Sequence, residues 1–201
     1  CMALAGAASA KPEKLAQTIV PKTPTSTPLS HPPAQPAQWA PPVCATSPFQ
    51  ACTESDFREA DFSGSDLSGH VVFFNANAQD SNFTESNLSN AALHFARFKN
   101  AKLSEANFMG ADLRGAGFRG ADLTRIQLRN ADCTGCDFTL GLLQDSDLQA
   151  VSLRGANMSY TDLRGANLQR SDVSQVLWHQ TLCPDGSLSE DNGDTCGGHL
   201  S

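Results

Sequence analysis

The stretch Ala111-Asp112-Leu113-Arg114-Gly115-Ala116-Gly117-Phe118-Arg119-Gly120-Ala121-Asp122-Leu123 repeats every five residues: small, polar, large apolar, then two free positions. The same pattern recurs at Ala156-Asn157-Met158 and Ala166-Asn167-Leu168. Working outward, large central residues fall at 57, 62, 67 and 72, and then at every fifth position from 83 to 173. The second run has 19 centres: eleven Leu, five Phe, and Cys133, Met158 and Val173. Two residues before each centre sits a small or β-branched residue, mostly Ala.

A period of five suits neither regular element. At about 100° per residue, successive centres on a helix drift by about 140° and form no apolar stripe. In a continuous strand, odd spacing would switch the centres between faces at every repeat. The period works if each pentapeptide is one side of a tube and the chain turns at every corner. The centre and the residue two before it then point inward, and the other three face water. Four sides close a square coil of about 20 residues, a stacking solenoid.

These residues resemble the pentapeptide-repeat family, A(D/N)LXX in consensus, over roughly residues 55–178. The resemblance implies an all-β fold, a right-handed quadrilateral β-helix, of about six coils. At ~4.8 Å per coil such a rod is ~30 Å long. Spacing of 20 predicts internal columns, one of Leu93, Leu113, Cys133, Leu153 and Val173 and another of Phe98, Phe118, Phe138 and Met158. Outside, Asn87, Asn107, Gln127, Asp147 and Asn167 should form a polar ladder along the rod. The step from Val72 to Phe83 is eleven residues, so one extra residue is expected to bulge outward within Phe73–Gln79.

The flanks read differently. Residues 1–10, CMALAGAASA, match the end of a signal peptide with an Ala8-Ser9-Ala10 cleavage site; lipidation of Cys1 is the alternative. Residues 11–43 hold nine of the eleven prolines and form a polar, extended linker, with a proline-motif ligand as a second reading. Residues 44–54 are assigned to an N-terminal cap and 179–201 to a C-terminal cap. Cleavage after Ala10 would leave six cysteines. Cys44 with Cys52 and Cys183 with Cys196 are expected to be disulfides stapling the two ends. His179, Cys183, Cys196 and His199 offer Zn²⁺ ligation as the rival reading of the C-terminal group. The ending W…CPDGS…C…HL resembles exported members of the family. Cys133 and Cys136 have the C-x-x-C spacing, but their register reads as buried small residues, with a disulfide across the corner as the alternative.

The chain of 201 residues has a net charge of −7, which argues against a broadly basic nucleic-acid binder. No apolar run is long enough for an integral membrane segment. No phosphate loop, nucleophile elbow or zinc-protease motif is present, so no catalytic residues, cofactor or metal site are assigned. The expected function is a non-enzymatic, exported interaction scaffold, in the periplasm, a thylakoid lumen or outside the cell. Its partner would be a protein, either another chain or a second copy in a homodimer. Leu140, Leu142 and Tyr160 are the candidate contact patch, being apolar at outward positions. The alternative, implied by the resemblance, is a DNA mimic that engages DNA gyrase or another DNA-binding protein. Against it, residues 53–93 carry seven acids and one Arg, whereas 94–130 carry seven bases and three acids.

Overall fold

The computed structural model describes residues 54–69 and 72–198. The residues assigned to the signal segment and the linker, and Cys44 and Cys52, lie outside these. The backbone turns at every fifth residue, and each side contributes one parallel bridge to the coil above and one to the coil below. From Val72 on, bridges join residues 20 apart, as in Asp112↔Asp132, Asp132↔Ser152 and Ser152↔Asp172. Single-residue bridges replace long strands because only one residue per side is extended enough to pair before the next corner.

Hydrogen bonds follow the same rule. The amide of Leu113 donates to the Asp132 carbonyl at 2.8 Å, and the Asp132 amide to that of Ala111 at 3.0 Å. Within each corner a second bond closes the turn, as from the Ala116 amide to the Leu113 carbonyl at 2.8 Å. The second turn residue is left-handed throughout, as in Gly115 (φ 67°), Asn130 (φ 60°) and Arg125 (φ 57°). A positive φ at only that central position is the signature of a type II turn, the geometry most compatible with Gly and Asn.

The core follows from this backbone. Leu93, Leu113, Cys133 and Leu153 are fully buried in one column, and Phe98, Phe118, Phe138 and Met158 in another. Phe98, Phe118 and Phe138 stack nearly parallel, with ring centroids 5.2 and 5.1 Å apart, close to the inter-coil spacing. Val173 is only half-buried against the end of the core. Ala occupies most positions two before the centres, and its Ser and Thr replacements return their hydroxyls to the backbone. Ser86 and Ser146 donate to the Phe83 and Leu143 carbonyls at 2.7 Å, and Thr161 to that of Phe138 at 2.9 Å. A buried hydroxyl is tolerated because it is satisfied.

Two expectations are corrected. The five-residue count places a centre at Val72 and the extra residue within Phe73–Gln79. Instead Phe73 and Ala78 are the buried centres, Val72 pairs with Ala92 on the outside, and the regular period has already resumed. The six-residue step lies between Leu67 and Phe73. Earlier bridges therefore span 21 residues, as in Asp66↔Asn87. Two adjacent apolar residues made the register ambiguous, and the aromatic ring won the interior because it buries more area. The outward Asn and Asp side chains also act mainly within their own side. Asn107 and Asn167 accept from the amides of Met109 and Gln169, two residues on, at 3.0 and 3.1 Å. Asn87 does both, accepting from Ser89 and donating to Asp66 at 3.1 Å. The consensus Asp/Asn is therefore a turn-forming acceptor for an otherwise exposed amide.

At the C-terminal end the parallel ladder runs on to Asp162↔Leu182, within the segment assigned to the cap. Beyond Pro184 the chain reverses and Leu188 pairs antiparallel with Leu182. A short 3-10 turn, Ser189–Asn192, follows, with Ser189 buried and bonded to Trp178 and Thr181. Trp178 covers the last core layer, and Cys183 and Cys196 are joined by a disulfide. This hook closes an end where a solenoid would expose apolar residues.

Leu113→Asp is expected to abolish cooperative folding, because it leaves a carboxylate unpaired in a core without room for water. Arg114→Gln, one residue on and exposed, should leave the protein folding cooperatively with its midpoint close to the parent's. Urea melts of the two variants check the register directly.

Candidate functional site

Because residues 20 apart stack, each corner forms a column along the rod. In several places a large corner side chain leans over the next coil, where a Gly leaves room. A Cβ on Gly115 would lie 2.6 Å from the Phe95 ring, and one on Gly110 or Gly120 would meet the Asn90 or Asn100 amide oxygen at 2.6 and 2.9 Å. At these corners the glycine is required by the side chain leaning over it from the coil before.

One corner column stands out by carrying large apolar residues in successive coils, where the Glu85, Glu105, Arg125 and Asp145 column carries charged ones. It runs Asp80, Asn100, Gly120, Leu140, Tyr160 and Gln180, with large residues in two successive coils. Leu140 and Tyr160 are both left-handed, at φ 61° and 60°. For bulky residues that conformation is uncommon and costs roughly 1 kcal/mol or more. Both side chains are nevertheless about half exposed, at 49% and 48%. Leu142, on the next side beyond inward Gly141, is 44% exposed, and Leu177 on the preceding side is 59% exposed. The three candidate patch residues thus lie around one corner, and Leu177 adds a fourth that sequence reading missed. Its place one residue before Trp178, where the consensus puts Asp or Asn, was the available signal.

Further along, the Tyr160 ring meets His179 edge-on, with centroids 5.2 Å apart. His179 Nδ1 is in turn 3.5 Å from Glu190 Oε1 on the C-terminal hook. A second aromatic group, Phe74, His94 and Phe95, lies on a different side near the N-terminal end.

Charge is arranged by the repeat. Where Asp precedes a centre and Arg follows it, the two pair across the turn, as in Asp56–Arg58, Asp112–Arg114 and Asp162–Arg164 at 2.7, 2.7 and 2.6 Å. The Arg114 guanidinium hydrogen-bonds Asp112 and holds its carboxyl below the ordinary carboxylate range; Arg164 does the same for Asp162. These are turn-locking pairs in a repeating position, and their carboxylates are neutralised rather than poised for proton transfer. Cys133 and Cys136 are free, buried thiols, with Cys136 Sγ 3.0 Å from the Leu113 carbonyl. Burial pushes the Cys136 thiol well above its ordinary value, which disfavours a reactive thiolate. No group of three or more potential metal ligands occurs among the described residues. His199, one member of the alternative zinc set, lies outside them, and the disulfide occupies Cys183 and Cys196.

The profile described as pentapeptide repeats (8 copies) matches residues 52–69, 70–105, 106–145 and 142–176. The chain belongs to the pentapeptide-repeat family. Membership carries the right-handed β-helical solenoid with it. No curated relative matches this pentapeptide-repeat protein. Among solved structures it is similar to QnrB1, described as a plasmid-mediated fluoroquinolone resistance protein: 17% identity over 66% of this chain and 78% of that one, TM-score 0.46. It is also similar to a pentapeptide repeat protein from the cyanobacterium Cyanothece, at 22% identity over 64% and 90%, TM-score 0.38. A third, from the Arabidopsis thaliana thylakoid lumen, is 32% identical over 53% of this chain and 67% of that one, TM-score 0.30. With TM-scores below 0.5, these likenesses add nothing to the family assignment. No helix among the described residues is long and apolar enough to cross a membrane.

Replacing Cys183 and Cys196 together by Ala is expected to lower stability by about 2–3 kcal/mol, the usual effect of opening a short disulfide loop. Hydrogen exchange should show the loss as early opening of residues 178–198, with the middle coils still protected. Uniform loss of protection along the rod would mean that the hook does not act as a local cap.

Proposed function

We propose that this pentapeptide-repeat protein is a non-enzymatic interaction scaffold, exported from the cytoplasm, that binds a protein partner along the Leu140–Tyr160 corner. The observation that carries the reading is that two bulky, half-exposed apolar side chains hold left-handed positions in successive coils of one corner, beside exposed Leu142 and Leu177, where Phe95 stands at its own corner above a glycine. Neither serves the core, and both occupy a conformation that Gly would adopt without strain. Strain kept at an exposed apolar site points to a use outside the fold. The Cys183–Cys196 disulfide supports an oxidising compartment and hence export. The exposed bases Arg97, Lys99, Lys102 and Arg119 sit poorly with a surface imitating duplex DNA.

Leu140→Gly combined with Tyr160→Gly separates the two demands on this corner. The double variant should be at least as stable as the parent, by up to about 1–2 kcal/mol, because the left-handed strain is relieved. It should at the same time lose most of its partner in affinity capture from the native host. Unchanged capture by the stable double variant would remove this corner as the binding site. Recovery of gyrase subunits by the parent would favour the mimic instead.

A further inference from the structure

We infer that the Leu140–Tyr160 corner is a self-complementary surface, on which a second copy of this chain docks antiparallel about a two-fold axis. The inference rests on the reading of this corner as an interaction site and names its occupant. The argument is the order of chemistry along one edge. Arg97, Lys99 and Arg119 lie on the side that ends at the Asn100 and Gly120 corners, and all three are exposed. None is in an ion pair among the described residues; the Arg97 guanidinium donates to the Asn75 amide oxygen at 3.2 Å. Next along the same edge come Leu140 and Tyr160, flanked by Leu142 and Leu177. Beyond Tyr160 the edge turns acidic. Glu190 stands beside His179, which touches Tyr160, and Asp191 follows it in the exposed hook.

The spacing is symmetric about the apolar patch. The Gly120 and Asn100 corners lie one and a half and two and a half coils before the midpoint between Leu140 and Tyr160, or about 7 and 12 Å. His179 lies about one and a half coils after it, with Glu190 of the hook 3.5 Å from its ring nitrogen. A two-fold axis through the midpoint, perpendicular to the rod and in the interface plane, keeps each side of the corner facing its own copy. The bases and His179 stand on the same side of the corner, so each copy's basic stretch would meet the other's acidic hook. Leu140 and Tyr160 would meet their own counterparts at the centre. Such an isologous contact needs one surface carrying both signs around an apolar middle.

The test is a pair of charge reversals in the full chain, read by sedimentation equilibrium. Lys99→Glu with Arg119→Glu makes both ends of the edge acidic; Glu190→Lys with Asp191→Lys makes both ends basic. Each variant alone should dimerise at least about tenfold more weakly than the parent. An equimolar mixture should recover dimer of parental strength, because each basic end then meets an acidic one. All these residues are exposed, and thermal melts confirm that the variants fold. A parent that stays monomeric at about 100 µM would overturn the proposal, as would variants that self-associate like the parent or a mixture that gains nothing. If the parent is monomeric while the Leu140→Gly/Tyr160→Gly variant still loses a foreign partner, the second copy is excluded and the scaffold reading stands. If that capture is also unchanged, both readings fall.

Discussion

Every feature of this rod depends on the hydrogen bonds between coils. They require that the residue bridging to the coil above recur after a whole number of sides, and four sides of five residues supply that number. The constraint reaches into the core, since a coil this tight leaves space for one large and one small side chain per side. It reaches the surface too, because a corner every fifth residue must take up a left-handed conformation. Burial, turn geometry and surface columns are three consequences of one repeat length.

That coupling explains which parts were legible from the sequence. The Leu and Phe centres, the Ala positions before them and the 20-residue columns follow from a period that only one backbone satisfies. The position of the extra residue did not, since Val72 and Phe73 are both acceptable centres when read one at a time. The choice is made by which register lets Phe73 fill its layer beside Phe57 and Phe62. The consensus Asp and Asn align like rungs of a ladder, yet most accept a bond from their own turn. Alignment in columns is a by-product of regular geometry and does not by itself identify what a side chain bonds to.

The candidate site was legible only as an exception. Leu140, Leu142 and Tyr160 are visible in the sequence because outward positions elsewhere are mostly polar. Their meaning needs φ values and exposure: half-exposed bulky residues at left-handed corners are a cost to the fold. The link from Tyr160 through His179 to Glu190 was hidden, because the hook folds back after Pro184 and brings together residues from different coils. Periodicity says nothing about a segment that leaves the period.

A rod of this kind also separates stability from recognition unusually cleanly. Inward residues set whether the coils stack, and they are spent entirely on packing. Outward residues at three positions in five can vary without touching that core, provided each turn keeps its amide acceptor and its left-handed residue. Selection on binding can therefore act on a corner at modest cost, because the penalty of one strained residue is carried by hydrogen bonds spread along the whole solenoid. A surface that alternates charge and apolarity along an edge is a natural product of such freedom. The fold fixes where each side chain stands to within a coil spacing, and the sequence decides what stands there.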